Sequence, residues 1–578
     1  MFERICPKCK VPMLGEKCIK ESCGTKTVTS STVYWCEECN IPIFDKICPV
    51  CHSEGKYIAT DVRPVFPEER LLIGIILKSD EPYYYVDKSV WYGSNSYIVD
   101  GKKVKLSVSK INGWDLDQIK QVKDRYDELS DDMSEKQFNE QVLRFVTANK
   151  NRFNYIVEEA VTYIQGYKDK YSLDDMFVSF SGGKDSTVTS HLVNTAFGTN
   201  KVLHIFGDTT LEYPTTMEYK KRFNKNKESQ GVRILSAKNR EKNFEELCQI
   251  VGPPSRVMRW CCTVFKTGAI QKTIASAYKD KTNILAFQGI RRSESASRSK
   301  YERETESPKI AKQTVASPII DWLDFDVWLY ILSTGIDFNF AYRLGYTRVG
   351  CWCCPNNGGW SEFLSKVHMY EQYVHWREVL IDFAKQIGKP DPEEYIDGGG
   401  WKARQGGNGL EAAQKSIVSF EPCATDENAF NYDLQRPITE ELYELFKPFG
   451  YINKELGNKR LGEVYIMSKS GRVVLILQGR IGFTRLKVII KDIHIAGAKT
   501  LSVAEGKIKC QLTKYQMCLG CKACEGVCKR DAISVKDDGT GNITYNIDDK
   551  KCVRCTDCVS HFNAGCYMRK VLCIKRGN

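Results

Sequence analysis

Histidine is scarce in this sequence, with 7 residues among 578. That excludes imidazole-rich metal sites as a general theme, so any metal sites must be mainly all-cysteine. Long apolar runs are also missing, and no stretch approaches the ~18–20 apolar residues that cross a bilayer. The first residues, MFERICPKCK, carry no apolar segment of the signal-peptide kind, so no secretory signal is expected. Nor is the chain poor enough in hydrophobic residues to be mostly disordered. It has 42% hydrophobic and 27% charged residues, with 18 prolines and 42 glycines. At roughly 100–200 residues per domain, this length implies about three to five domains.

Cysteine is what the chain has in excess: 25 residues, mostly in short-spaced groups. In a small secreted protein such a count would mean disulfides. A long chain without a secretory signal points instead to thiolate metal sites in a reducing cytoplasm. Residues 1–60 hold two sets, Cys6, Cys9, Cys18 and Cys23, then Cys36, Cys39, Cys48 and Cys51. A two-residue gap lets a tight turn put both sulfurs on one tetrahedral ion. Little else in this stretch offers a core, so metal would supply the folding energy. Both sets are read as structural zinc sites, with iron as the competitor. His52 stays outside a shell that four sulfurs already fill.

Residues 61–114 read as a small β domain, with strands expected at LLIGIIL (71–77), YYYVD (83–87), SYIVD (96–100) and KVKLSVS (103–109). Residues 115–170 read as a helical bridge with patterns over 115–128 and 135–163.

The sharpest local signal is MFVSFSGGKDSTVTSHLV, in which the apolar strand Phe177–Phe180 runs into Ser181, Gly182, Gly183, Lys184, Asp185 and Ser186 and then into an apolar helix. The glycines allow backbone N–H groups to approach phosphate oxygens, and the helix N-terminus favours an anion. Both GxxxxGK[ST] and GxGxxG are absent, so this is neither of those nucleotide loops. A second strand ends at Asp208 and Thr209. A third ends at Gly289, followed by Arg291, Arg292 and Arg298, which suit phosphate or sulfate. Polar strand endings of this kind line the ligand crevice of an open parallel sheet. The expected fold class is therefore α/β: an open, mostly parallel nucleotide-binding sheet with helices on both faces, plus small zinc-binding and β-rich domains and a further small domain at the cysteine-rich C-terminal end.

SGGKDS (181–186), GDTTLEYPTT (207–216), GIRRSESASR (289–298) and SPIIDWLDFDVWLYI (317–331) together resemble the phosphoadenylyl-sulfate (PAPS) and adenylyl-sulfate (APS) reductase family of the PP-loop adenine-nucleotide α-hydrolase group. The resemblance covers about a third of the chain, within an expected catalytic domain at 171–400. It implies that the glycine-rich loop and the Asp208 region hold the adenosine nucleotide and the arginine segment the phosphosulfate. Cys261, Cys262, Cys351 and Cys354 match the CC…CxxC ligands of a [4Fe-4S] cluster in APS reductases; Cys353 is the extra thiol. Lys266 lies near these ligands in sequence and is a candidate for facing the substrate. The family's C-terminal cysteine motif is missing. Cys423 is the nearest analogue for a nucleophile, ahead of Cys353 and then Cys510 or Cys248. It follows Gly398–Gly409, read as a mobile lid, in a linker at 401–429.

Residues 430–505 read as a small α/β domain, with an amphipathic helix over 437–452 and three strands. Residues 506–578 resemble two-cluster bacterial ferredoxins. The resemblance implies one [4Fe-4S] cluster on Cys518, Cys521, Cys524 and Cys566, and a second on Cys528, Cys552, Cys555 and Cys558, with Cys573 as a substitute for Cys566. Three [4Fe-4S] clusters and two zinc ions, at about −2 per site with their thiolates, nearly cancel the formal charge of +12. The basic excess is thus weak evidence for a nucleic-acid partner.

The function these parts imply is an iron-sulfur reductase that turns PAPS or APS into sulfite and adenosine phosphate. A low-potential donor, ferredoxin for example, would feed it from outside, and no membrane is involved. The same loop also serves ATP-dependent sulfurtransferases and pyrophosphatases that thiolate tRNA or DNA, which is the competing expectation. Homo-oligomerisation stays open.

Overall fold

The computed structural model describes residues 4–5, 12–13, 18, 23, 28–29, 32–228, 234–295, 297–306, 313–538, 542–561 and 565–574. Its centre is a six-stranded sheet: β1 (Met176–Phe180), β2 (Leu203–Asp208), β3 (Ile234–Lys238), β4 (Ile284–Gln288), β5 (Glu304–Glu306) and β6 (Gln313–Ala316). The spatial order is β3-β2-β1-β4-β6-β5, parallel throughout except for the β5 edge. Successive residues of β1 point to opposite faces, as the strand period requires. Phe177 packs with Ala269, Ile274 and Tyr278 on one side, and Val178 with Val188, Leu192 and Val327 on the other. Helices therefore cover both faces: α1 (Lys184–Phe197) and α4 (Asp324–Thr334) on one, α3 (Gly268–Ala277) on the other, with α2 (Pro214–Glu228) beyond β2.

The chain runs outward from β1 through β2 to β3, then crosses back to place β4 on the other side of β1. This reversal opens a crevice at the carboxyl ends of β1 and β4. SGGKDS leaves β1 and Gly289-Ile290-Arg291 leaves β4, so both segments border it.

The N-terminal strands Val33–Cys36, Ile41–Ile43 and Lys56–Ala59 form an antiparallel sheet. This segment is not coreless, contrary to the reading from its sequence. Val33, Trp35, Ile41, Ile43 and Ile58 share one apolar cluster with Trp91, Phe145, Leu323, Phe325 and Leu329, the last two on α4.

The β-rich expectation for 61–114 needs correction. LLIGIIL belongs to a helix, Pro67–Leu77, started by proline in its first turn with Glu68 and Glu69 beside the N-terminal dipole. Buried on nearly every face, it has no helical periodicity to read. YYYVD forms turns closed by Tyr84 N–H to the Glu81 carbonyl and Val86 N–H to the Tyr83 carbonyl. KVKLSVS keeps a strand only to Val104 and then enters the helix Val108–Asn112. Ser96–Val99 is a strand as expected.

The bridge contains helices Leu116–Ser130, Lys136–Ala148 and Lys150–Gln165. Asp115 and Gln118 form a capping box at the first. Asn149 breaks the longer pattern in two, its amide donating to the carbonyls of Pro42 and Phe145.

Residues 419–490 fold as a six-stranded antiparallel sheet. The helix expected over 437–452 shrinks to Glu440–Glu444 and a short turn at Lys447–Phe449, because Pro448 lacks the N–H that would continue it. Helix Leu501–Met517 leads into the cysteine tail, where Ile533–Asp537 pairs antiparallel with Ile543–Ile547. Among the described residues no helix is long and apolar enough to cross a membrane.

Candidate active site and cysteine centres

Positive φ at Gly182 (+72°) turns the chain sharply between β1 and α1. The loop is then pinned from several sides. Ser181 N–H donates to Ser186 Oγ at 3.2 Å, Lys184 N–H donates to Tyr342 Oη at 3.0 Å, and Asn339 Nδ2 donates to the Gly182 carbonyl at 3.1 Å. Gly289 must be glycine for a different reason: a Cβ there would stand 2.5 Å from the Asp185 carbonyl oxygen. The end of β4 thus lies directly against the first turn of α1. A pre-set helix start of this kind suits a phosphate.

The charged residues around it form one network rather than a row of free arginines. Arg291, 4% exposed, reaches the Asp185 carboxylate through Nε and Asp324 Oδ1 at 2.7 Å through Nη2. Lys184 Nζ lies 3.2 Å from the same Asp324 oxygen and 3.6 Å from Asp185. Burial disfavours charge on Lys184, but the two carboxylates outweigh it and raise its pKa. Burial likewise opposes ionised Asp185, yet Arg291 and Lys184 win and lower it. Arg292 is engaged by Asp321 and Arg298 by Glu294. All three arginines therefore already hold a carboxylate of their own. An anion would have to enter that arrangement by displacing or sharing those partners.

Asp61, from the N-terminal side of the chain, also joins this network. Its carboxylate accepts from Asp324 N–H at 2.9 Å and Phe325 N–H at 3.0 Å, capping α4 from outside the core sheet. Burial, then the nearby Asp324 carboxylate, push Asp61 up to about 7.

At the end of β2, Asp208 is buried, with Lys220 3.4 Å away. Thr210 adopts φ +66°, a left-handed conformation that strains a β-branched residue. This turn brings Thr209 Oγ1 to 2.6 Å from Glu212 and 3.4 Å from Cys351 Sγ. Glu212 and Cys351 form an antiparallel bridge, and Trp352 N–H donates to the Leu211 carbonyl at 3.0 Å. The loop after β2 is therefore locked onto the CWCC segment.

Cys261 and Cys262 sit at the start of a helical stretch, Cys262–Thr267, wound with the wider π pitch. The neighbouring Cys261 thiol and the Arg259 guanidinium, the latter 3.2 Å from Cys262 Sγ, hold Cys262 well below the ordinary thiol range. Cys351 and Cys353 are close enough to oppose charge on Cys261, and Cys354 and Cys262 both act on Arg259. Lys266 favours thiolate at Cys262 and Cys351, so it faces this group. Cys353 is turned inward, 8% exposed, among Trp260, Phe265 and Trp376.

Cys36, Cys39, Cys48 and Cys51 behave differently. Their sulfurs all lie within 4.8 Å of one another, with Cys36–Cys51 at 3.3 Å and Cys39–Cys48 at 3.8 Å. Four thiolates bonded at ~2.3 Å to one tetrahedral ion stand about 3.8 Å apart, so the donor set fits a single zinc-like ion. Cys39 N–H points at Cys36 Sγ, 3.4 Å away. Cys6 and Cys9 lie outside the described residues, so the first set is visible only through Cys18 and Cys23.

In the tail, Cys521 and Cys566 belong to the same apolar core as Cys261, Cys351 and Cys353. Cys524 and Cys558 belong to the core of the C-terminal sheet, with Cys518, Cys528 and Cys552 packed against it. Cys566 feels Cys524, and Cys521 feels Cys566, Cys524 and Cys518. Cys528 and Cys552 act on Cys558, and Cys555 is exposed. Lys514 is buried among Cys518, Cys524, Cys558 and Cys566; burial opposes its charge but these sulfurs raise its pKa. Burial meanwhile pushes the Cys518 and Cys558 thiols up to about 12 and raises that of Cys566. No disulfide joins the described cysteines.

Cys423 stands apart. Its N–H bonds the Ala429 carbonyl and its side chain packs on Ala429, Ile476 and Ile489, all in the C-terminal sheet. The Thr425 hydroxyl and the Thr425 and Asp426 N–H groups lower its pKa. The glycine-rich stretch before it is pinned rather than lid-like. Gly407 N–H donates to the Cys573 carbonyl, Arg404 holds the carbonyls of Val251 and Pro253, and a Cβ on Gly406 would sit 2.2 Å from Cys573 oxygen.

Asp61, Asn339 and Tyr342 shape the site but belong to no motif. Their partners are far away in sequence, so only folding reveals them. Asp324 was within reach, as an acidic residue opening the helix of a matched motif.

Comparison with known proteins places a phosphoadenosine phosphosulfate reductase domain at residues 175–357. Two uncharacterized proteins of Methanocaldococcus jannaschii are each 32% identical, over 241 and 247 residues; each match covers 42% of this chain, and 48% and 57% of those proteins. The adenosine 5'-phosphosulfate reductase of Neisseria meningitidis serogroup B is 35% identical over 98 residues, 17% of this chain and 36% of that enzyme. The chain thus spans about half the length of the first of these relatives. The crystal structure of phosphoadenylyl-sulfate reductase from Candida auris, a phosphate complex, aligns with 36% of this chain and 97% of its own at 14% identity, with a TM-score of 0.28. The chain therefore carries a PAPS/APS-reductase-like domain together with a four-cysteine group able to bind a metal.

Proposed function

We propose that this protein is an iron-sulfur reductase that converts phosphoadenylyl sulfate, or adenylyl sulfate, to sulfite and adenosine phosphate. Electrons come from a low-potential donor through the C-terminal cysteine region. The observation that carries this is the lock between the Asp208–Glu212 turn and Cys351–Trp352. It brings the Cys351 side chain to the turn that ends β2. The reductase-like domain at 175–357 agrees in extent with that assembly.

In this reading the first turn of α1 and Lys184 take the phosphate, and Asp208 and Thr209 orient the nucleoside. Arg291 shares its guanidinium between Asp185, Asp324 and the arriving anion. Cys261, Cys262, Cys351 and Cys354 would hold a [4Fe-4S] cluster, which supplies charge stabilisation and single electrons when bound. Lys266 and Arg259 keep that thiolate group electropositive at its edge. The sulfur–oxygen bond to the phosphate breaks, the bridging oxygen stays with the nucleotide, and two electrons end on sulfur as sulfite. Cys18 and Cys23 with Cys6 and Cys9, and the Cys36 set, are proposed as zinc props.

The test is anaerobic turnover of PAPS and of APS with reduced ferredoxin, measuring sulfite and the released nucleotide. Release of sulfite with an equimolar adenosine phosphate is the expected result. Release of AMP and pyrophosphate from ATP, stimulated by tRNA or DNA, with no sulfite from either sulfonucleotide, would overturn it in favour of a thiolating pyrophosphatase.

A further inference from the structure

We propose that the N-terminal cysteine module is a working part of the nucleotide site, with Asp61 as the link. Metal held by Cys36, Cys39, Cys48 and Cys51 and nucleotide held at the first turn of α1 strengthen each other's binding. The proposal rests on the nucleotide half of the reductase reading and is independent of the chemistry that follows.

The link begins at a helix that cannot cap itself. The residue before α4 is Leu323, whose side chain offers no acceptor, so the N–H groups of the first turn need a partner from elsewhere. Asp61 supplies it. One carboxylate oxygen accepts from Asp324 N–H at 2.9 Å and the other from Phe325 N–H at 3.0 Å. Asp324 is in turn the residue that holds both cations beside the loop, Arg291 at 2.7 Å and Lys184 at 3.2 Å. The cap therefore fixes the backbone from which that carboxylate reaches.

The other end of the link is the metal set. Cys36 closes the strand Val33–Cys36, which pairs with Lys56–Ala59, and Asp61 follows that second strand by two residues. So short a connection leaves little slack. A Cβ on Gly93 would stand 2.6 Å from the Asp61 carbonyl oxygen, so the strand Val90–Gly93 also presses on the Asp61 backbone. Cys36 and Cys48 share one apolar cluster with Leu323, Phe325 and Leu329, which sets the sulfur-bearing sheet against the start of α4. Arg152 braces the same contact. Its guanidinium donates to both oxygens of Asp326 on α4, at 2.8 and 2.7 Å, and lies 4.0 Å from the Phe44 ring centroid.

The coupling follows from that chain of contacts. Four sulfurs within 4.8 Å hold together around an ion and spread apart without one, and the strands that lead to Asp61 loosen with them. Asp61 then releases the first turn of α4, Asp324 gains freedom, and Arg291 and Lys184 must be ordered anew when the anion arrives. Groups ordered beforehand bind more tightly than groups ordered on binding. By linkage, whatever the ion adds to nucleotide binding the nucleotide adds to ion binding, by the same factor. Asp61 is a positioning residue in this scheme: it acts through Asp324.

The test uses the full chain, purified anaerobically with zinc, as wild type, Asp61→Ala and Asp61→Asn, with zinc and iron measured on each sample. AMP and its 3′-phosphorylated form are the probes, because they carry the adenosine phosphate without the reacting group. Equilibrium binding is measured before and after a zinc chelator. Hydrogen exchange over residues 33–59 reports the chelator concentration at which the set opens. We expect chelation to weaken nucleotide binding by about 5-fold or more, the lower end of the coupling found between linked sites. Saturating nucleotide should raise the chelator midpoint by the same factor. Asp61→Ala should bind nucleotide as weakly as the chelated wild type, with or without zinc, and its midpoint should ignore the nucleotide. Asp61→Asn keeps one acceptor oxygen and should recover part of the coupling. A module that only props the fold would open at one chelator concentration whatever the nucleotide. Equal wild-type midpoints with and without nucleotide would therefore overturn the link and leave the reductase reading intact, as would full coupling in Asp61→Ala. Should Asp61→Ala fail to fold, the wild-type midpoints decide alone. A zinc-loaded wild type that binds neither nucleotide would remove the reading and the link together.

Discussion

The two ends of the chain are both built on CxxC pairs, yet they hold their sulfurs in different ways. In the N-terminal sheet four sulfurs crowd within 4.8 Å, the spacing of one tetrahedral ion. In the core and tail no three described cysteines come that close. There the sulfurs are shared between two large apolar clusters, and a lysine is buried among four of them. The spacing of cysteines along the sequence marks several candidate sets. Among the described residues, the fold closes only the N-terminal one to the spacing of a single ion.

The largest effect should come from breaking the N-terminal set. Structural zinc contributes roughly 10–16 kcal/mol of apparent binding free energy in small fingers, so removing it unfolds what it holds. A strong chelator, or Cys48→Ser, is expected to expose the segment 33–59 to hydrogen exchange. The reductase-like sheet, with its own core, should stay protected. Equal loss of protection in both regions would show that the two are one cooperative unit. The contrast sharpens with Cys351→Ser, which should remove about four iron atoms per chain. The same substitution should leave the metal at the Cys36 set in place, as metal analysis on one sample would show.

A third effect concerns thiols outside both patterns. Cys423 has its pKa lowered by the Thr425 hydroxyl and neighbouring N–H groups, while burial raises Cys248 well above the thiol range. Iodoacetamide at neutral pH should therefore modify Cys423 long before Cys248, because the thiolate is the reactive form. Peptide mass spectrometry over a time course reads this directly. Labelling of Cys248 at a similar rate would mean that the core around it opens far more readily than its packing implies.

Much of the site could be read from sequence wherever chemistry is local. The strand–SGGKDS–helix unit, the polar ends of β2 and β4 and the short-spaced cysteines all declare themselves within a dozen residues. What stayed hidden is long-range. Arg291 and Arg292 looked free because Asp324 and Asp321 lie 33 and 29 residues on, whereas the partner of Arg298, Glu294, stands only four residues before it. Tyr342 and Asn339, which hold the loop after β1, look like ordinary residues of a turn. LLIGIIL was misread because a helix buried all round shows the same unbroken apolar run as an inner strand. The tail's contact with the core had no sequence signature either, since Gln271 and Gly526, bonded across it, are 255 residues apart.

The smallest effect tests whether the two halves of the comparison communicate. Asp61 lies just past the N-terminal set and caps α4, whose Asp324 holds Arg291 and Lys184. Losing such a cap costs about 1 kcal/mol, so Asp61→Ala should lower stability by that order. The pH dependence separates capping from charge. With its pKa raised from 3.8 to about 7 in the folded chain, Asp61 keeps a proton there that the unfolded chain releases. Its contribution to stability therefore falls as pH rises from about 4 to about 7 and is level beyond. Asp61→Asn retains one acceptor oxygen and no titration. The variant should thus be less stable than wild type at pH 5, and the difference should narrow by pH 8, as denaturant melts at the two pH values would report. A gap that widens instead would mean that Arg291, and not Asp324, sets the charge state of Asp61, with the N-terminal region helping to balance the Arg291–Lys184 network rather than merely propping its helix.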